Sequence, residues 1–282
     1  MADLENGLDL YRPVLICAFA GWNDAGDAAT AALDHLILEW DAVEVGSFDS
    51  DDFYDFQVTR PFIRTDERGM RQLSWPGTEI LHASGAVDDR DILLMRGIEP
   101  SMRWRRFSEE VLLLIEEHSI ELVILLGALL SDTPHTRSVP VSGSATTQQW
   151  AERMEWEPSS YEGPTGIVGV LMDACATFAI PAVSLWAGVP HYLPRGPNYK
   201  AALALVNHIE DVLDTRIEQT ELREDAAAWQ RGADEVAEED EEIAAYVDMY
   251  ERDHDAASLP EASGEAIAAE FERYLKRRNR ES

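Results

Sequence analysis

Lysine is nearly absent from this chain: Lys200 and Lys276 are the only two among 282 residues. Arginine supplies the rest of 23 bases, which face 54 acids and leave a net charge of −31. Phosphates and anionic lipids are held by clustered cations, so this balance argues against nucleic acid and membrane as partners. The one cationic run, Lys276-Arg277-Arg278 with Arg280, reads as a helix end that suits the helix dipole, or as a local docking point. Cysteine is equally scarce. Cys17 and Cys175 lie in apolar surroundings, and no CxxC occurs. Two distant thiols make no disulfide framework, which fits a reducing cytoplasm. The first residues, Met1 to Glu5, lack the basic-then-apolar order of a secretory leader. The longest apolar run, Leu122 to Leu130, is too short to cross a bilayer.

Familiar catalytic signatures are missing as well. There is no Gly-x-Ser-x-Gly elbow, no His-Glu-x-x-His and no Gly-x-Gly-x-x-Gly after a strand. Asp49, Asp51, Asp52 and Asp55 cluster, but without the glycine and closing glutamate of a calcium loop. Neither a metal nor a cofactor is expected.

What is present is a regular alternation of buried strands and amphipathic helices. Val14 to Ala20 is a continuous apolar run bounded by Pro13 and Gly21, the pattern of a strand buried on both faces. Val43 to Phe48, Ile92 to Met95, Leu122 to Leu126 and Ala182 to Trp186 read as further strands. Helical periodicity follows Asp27, and recurs over Phe107 to His118, Thr165 to Phe178 and Ala201 to Leu213. Asp66-Glu67-Arg68-Gly69 reads as the turn of a hairpin between Phe62–Arg64 and Gln72–Trp75. The alternation predicts a three-layer α/β fold, a mostly parallel sheet with helices on both faces. Composition then shifts: residues 219–282 hold 19 acids and 8 bases and no strand-like run. Residues 1–218 are expected to form the α/β core. Residues 219–282 are expected to form a small acidic helical region, with breaks at Gly232 and Leu259-Pro260.

Three loops after strands gather polar residues, where open α/β sheets place their ligands. Gly21-Trp22-Asn23-Asp24-Ala25-Gly26 has the glycine spacing of a phosphate loop, yet Asp27 and Ala28 stand where lysine and a hydroxyl residue are required. Asp27 suits a helix cap instead, and Trp22, Asn23 and Asp24 are left as ligand or interface candidates. Ser131-Asp132-Thr133-Pro134-His135-Thr136-Arg137 brings an acid, a histidine and hydroxyls together. Asp132 and His135 would serve as orienter and general base, and Thr136 as a contact. Turn chemistry accounts for the same residues without catalysis. His191, after another strand, is a second candidate base. Ser160 to Gly166 leads into a helix, where Gly163, Thr165 and Gly166 would let free amides hold an anion, or would serve close helix–sheet packing.

Four segments in order resemble a known family: Ala20 to Gly26; Phe53-Tyr54-Asp55-Phe56 with Arg60-Pro61; Gly127 to Arg137; and Gly163-Pro164-Thr165-Gly166-Ile167. Together they resemble the proteasome assembly chaperone 2 family, in its actinobacterial branch, over roughly Pro13 to Asp214. The resemblance implies a phosphorylase/hydrolase-like three-layer fold, self-association, and a chaperone-like role with proteasome subunits as partners. It implies no catalytic residues. The chain ends Arg278-Asn279-Arg280-Glu281-Ser282, whereas archaeal relatives that dock on the proteasome end in a hydrophobic residue, a tyrosine and one last residue. Two functional readings follow. One is a non-catalytic oligomeric binding protein of the cytoplasm. The other is a small-molecule hydrolase or nucleosidase-like enzyme, in which Asp24, Asp132, His135, Thr165 and His191 share one pocket.

Overall fold

The computed structural model describes residues 3–4, 8–66, 69–157, 159 and 161–261. Ser160, the residues Glu67 and Arg68 of the expected turn, residues 267–275, for which the sequence pattern predicts a helix, and the basic run after them lie outside the described residues.

The sheet is built around β2 (Val14–Ala20), flanked by β7 (Arg90–Ile98) on one side and β8 (Leu122–Ser131) on the other, with β10 (Ala182–Pro190) beyond β8. These four strands are mutually parallel. Antiparallel strands extend both margins. Beyond β7 lie β6 (Thr78–Val87), β3 (Val43–Ser47) and the two-residue β1 (Asp3–Leu4). β9 (Val141–Ala145) lies beyond β10. The predicted three-layer, parallel-centred α/β architecture is therefore the fold of the chain.

The apolar run of β2 has a direct structural cause. Val14, Ile16 and Ala18 point into one core and Leu15, Cys17 and Phe19 into the other. Side chains alternate between faces along a strand, so only a strand covered on both sides can be apolar at every position. The first core is closed by α1 (Ala28–Glu39) and α6 (Tyr199–Leu213). The second is closed by α3 (Trp104–Glu117) and α5 (Ile167–Thr177). At the centre of the second core, Phe107 packs with Phe19, Phe48 and Phe53 at ring separations of 5.9, 4.9 and 5.2 Å. The Phe53-Tyr54 motif is thereby absorbed into the core. Tyr54 Oη donates to Ile98 O at 2.8 Å and shares a 2.7 Å bond with Thr78 Oγ1.

Several elements are missing from the sequence reading. β6 and β9 carry glycine, serine and alanine in place of aromatic or β-branched runs, and α2 (Ser50–Phe53) and α4 (Gln148–Met154) are only one and two turns long. Three strands, β7, β8 and β10, also run past their expected ends, so Leu129 and Leu130 belong to β8 rather than to a loop. In the C-terminal region α7 (Thr220–Glu239) continues through Gly232, and α8 (Glu241–Glu261) through Leu259 and Pro260; the interruption falls at Asp240 instead. A mid-helix glycine costs only about 1 kcal/mol, and α7 anchors itself by burying Leu222, Ala226 and Ala233. One strand pair stands off the sheet: β4 (Phe62–Thr65) and β5 (Arg71–Ser74) form a hairpin exposed along its length. Among the described residues no helix is long and apolar enough to cross a membrane.

Candidate functional site

The loop after β2 is a cap. Gly21 and Gly26 adopt φ of +124° and +60°, which side chains resist, and let the chain turn sharply into α1. Asp24, buried in that turn, accepts the Ala29 amide at 2.6 Å, the Thr30 amide and the Thr30 hydroxyl. Asp24 therefore caps α1, not the expected Asp27, whose backbone is left-handed and whose side chain makes no cap bond. The reason is geometric: Asp27 sits too far along the turn to face the free amides, whereas Asp24 lies beneath them. Burial pushes the Asp24 carboxyl up to about 6, in spite of these donors.

Asn23, fully buried, ties this loop to the start of α5. Its Nδ2 donates to Glu99 Oε1 at 2.6 Å, and the same oxygen accepts the Ile167 amide at 2.8 Å. The anion expected at this helix start is thus supplied by the chain itself, as the Glu99 carboxylate. Gly166 is required because a Cβ there would lie within 2.6 Å of Glu99 Oε1 and closer still to the Asn23 amide. Gly163 makes room for Tyr161, whose hydroxyl donates to Pro164 O at 2.8 Å.

Beyond the carboxyl ends of β2 and β8, and over the first half of β10, lies a cavity of about 1270 Å³. Trp22, 63% exposed, stands at its edge, with Asp24 and Thr165 on its wall. α5 forms one side and the face of β9–β10 the floor, through Ser142, Ser144, Ser184 and Trp186.

The loop after β8 belongs to a different place. His135 is buried under α7. Its backbone amide donates to Tyr192 Oη at 2.8 Å, and its ring nitrogens meet Tyr192 Oη at 2.9 Å and Asp234 Oδ1 at 3.2 Å. The bonding pattern assigns the neutral ring with its proton on Nε2: Tyr192 donates to Nδ1, and Nε2–H donates to Asp234. Burial lowers the His135 pKa, with Asp234 pulling the other way. Lys200 Nζ donates to His135 O and, at 2.6 Å, to Gln230 Oε1 on α7. Asp132 turns outward with its side chain 79% exposed. It accepts from Tyr250 at 3.1 Å and lies 3.5 Å from His191 Nδ1. Thr136 donates to Glu251, and Arg137 bridges Glu251 and Asp255 on α8 at 2.8 and 3.0 Å.

The expected shared pocket therefore divides in two. Trp22, Asp24 and Thr165 line the cavity; Asp132, His135, Thr136 and His191 hold the C-terminal helices. Asp132 and His135 take different partners, Tyr250 on α8 and Asp234 on α7, and do not form an orienter–base pair with each other. Asn23, Gly163 and Gly166 are structural supports of the cavity's rim. Sequence reading missed Glu99, Tyr192, Lys200 and Asp234. Lys200 alone carried a signal, as one of two lysines in an arginine-rich chain.

The PAC2 family model matches residues 18–237. A PAC2 family protein from Streptomyces avermitilis is 52% identical, with a TM-score of 0.78 over 83% of this chain and 99% of that one. A proteasome-assembly chaperone homologue from Mycobacterium tuberculosis is 47% identical, with a TM-score of 0.75 over the same shares, 83% and 99%. An archaeal proteasome activator from Pyrococcus furiosus, 18% identical, has a TM-score of 0.68 over 84% of this chain and 98% of that one, and shares the fold alone. No functionally curated protein matches the chain.

Proposed function

The chain belongs to the PAC2 family, and on that premise we propose that it is a non-catalytic, self-associating binding protein with a chaperone-like role. Proteasome subunits are the partner class this reading favours, since a relative 47% identical is described as a proteasome-assembly chaperone homologue. The observation that carries the reading is the hairpin of β4 and β5. Ile63 and Leu73 are cross-strand partners on one face of the hairpin and are 56% and 51% exposed; Phe62, on the opposite face, is 68% exposed. A two-stranded hairpin is marginal on its own in water, and contiguous exposed apolar side chains mark interaction surfaces. A second copy, or a partner subunit, would bury them. The alternative hydrolase reading loses its support once Asp132 and His135 are engaged with α8 and α7.

Light scattering on the full chain tests this. The wild type is expected as an oligomer, and Ile63→Asp with Leu73→Asp as a protomer with an unchanged melting temperature. Tagged wild type is expected to recover proteasome subunits from its host, and the double variant to lose them. A wild type that is monomeric and recovers none would overturn the proposal.

A further inference from the structure

The cavity beside α5 has a chemistry of its own. Among the described residues no lysine, arginine or histidine lines it, while Asp24, Asp27, Glu157 and Asp173 do. Nucleotides, phosphates and carboxylates are held by cations or by free helix amides. The described wall provides no cations, and the first amide of α5, that of Ile167, is already taken by Glu99. Anionic ligands are therefore disfavoured by an acidic lining that offers them no counter-charge.

The aromatic lining is a second, independent feature. Trp186 lies opposite Gly127 in the β8–β10 register, and a Cβ on Gly127 would fall 2.5 to 2.8 Å from three atoms of the indole. Trp156 covers Gly143 in the same way. Three near-equal distances mean that the flat of each ring rests on the glycine. Both indoles are half-buried and line the cavity. Trp22 adds a third at the edge. Indole faces attract cations through the ring quadrupole, and desolvated walls strengthen that attraction.

We propose that this cavity is a binding site for an organic cation, an amine or quaternary ammonium group carried on an apolar body. The cationic head lies between the indole faces and the carboxylates of Asp27 and Asp173, which keep their water at the rim; the apolar body lies against Met172. This site is separate from the β4–β5 hairpin, so its failure leaves the partner role untouched.

The test is calorimetric titration of the full chain with benzyltrimethylammonium, its uncharged carbon isostere neopentylbenzene, and benzylphosphonate. The expected result is saturable binding of the cation with Kd at or below about 1 mM, about tenfold tighter than the isostere. Benzylphosphonate is expected not to bind. Asp27→Asn with Asp173→Asn should remove the preference for the cation and leave binding of the isostere. Ala176→Trp, at an exposed position of α5 on the cavity's lining, should narrow the cavity and weaken both while the protein stays folded by circular dichroism. Equal binding of cation and isostere, binding untouched by Ala176→Trp in a folded protein, or no cation binding at all would each overturn the proposal.

Discussion

His135 Nε2 donates to Asp234 Oδ1 across 3.2 Å, joining the loop after β8 to a helix 99 residues further along the chain. The bond is one of a set. Lys200–Gln230, Arg137–Glu251 and Tyr250–Asp132 fasten α7 and α8 over the same loop. What reads in the sequence as a catalytic constellation works in the structure as a clasp.

Replacing His135 by alanine should therefore release α7 rather than unfold the sheet. Asp234 and Tyr192 each lose the bond to the ring, while Asp234 keeps Gln230 and Tyr192 keeps the backbone amide of residue 135, so the cost is about 1 kcal/mol. Amide hydrogen exchange across α7 should accelerate while that of β2 and β8 stays slow.

The clasp should also respond to acid. Burial holds the folded His135 pKa below its ordinary 6.5. The unfolded ring takes up a proton first, so stability from this group is complete above 6.5 and is lost as pH falls through the lowered folded value. Exchange in α7 should rise as pH drops below about 6, after correction for intrinsic rates. His135→Gln should lack that dependence.

Asp24 should show the opposite sign. Its carboxyl is pushed from 3.8 to about 6, so the folded state keeps a proton that the unfolded chain has lost. Stability from this group is full below 3.8 and falls as pH rises through about 6, by about 3 kcal/mol in all. The denaturant midpoint of Asp24→Asn, compared with wild type, should lose this slope. Thr30→Val removes a bond that lowers the value, and should move the Asp24 titration further up.

Two glycines make a controlled pair. Gly166→Ala places a methyl against Asn23 and Glu99, and overpacking of this kind costs about 1–3 kcal/mol. Gly232→Ala meets nothing within 4 Å and lies inside α7, so it should stabilise by about 1 kcal/mol. Thermal melts of both variants check the signs.

Phe107→Ala should be the most damaging of these changes, at about 3–5 kcal/mol, because it empties the point where Phe19, Phe48 and Phe53 converge.

How much was legible varies with how local the cause is. β2 was readable from Val14 to Ala20 because burial on both faces leaves an apolar residue at every position. β9 was not, because Val141-Ser142-Gly143-Ser144-Ala145 has weak strand propensity and is held by pairing with β10. The capping of α1 was half legible: the turn was marked by Gly21 and Gly26, but choosing Asp24 over Asp27 required the backbone angles. The loops after β2 and β8 were both found, and their separation into cavity wall and helix clasp was not.

The sequence by itself determined the layered architecture, because the periodicity of apolar residues records which faces are covered and needs no long-range information. Only the tertiary structure decided which polar groups meet. Asn23 with Glu99, His135 with Asp234 and Asp132 with Tyr250 are separated by 76, 99 and 118 residues. A hydrogen bond depends on distances of a few tenths of an ångström, which are set by the packing of whole elements and leave no mark in the spacing of residues along the chain.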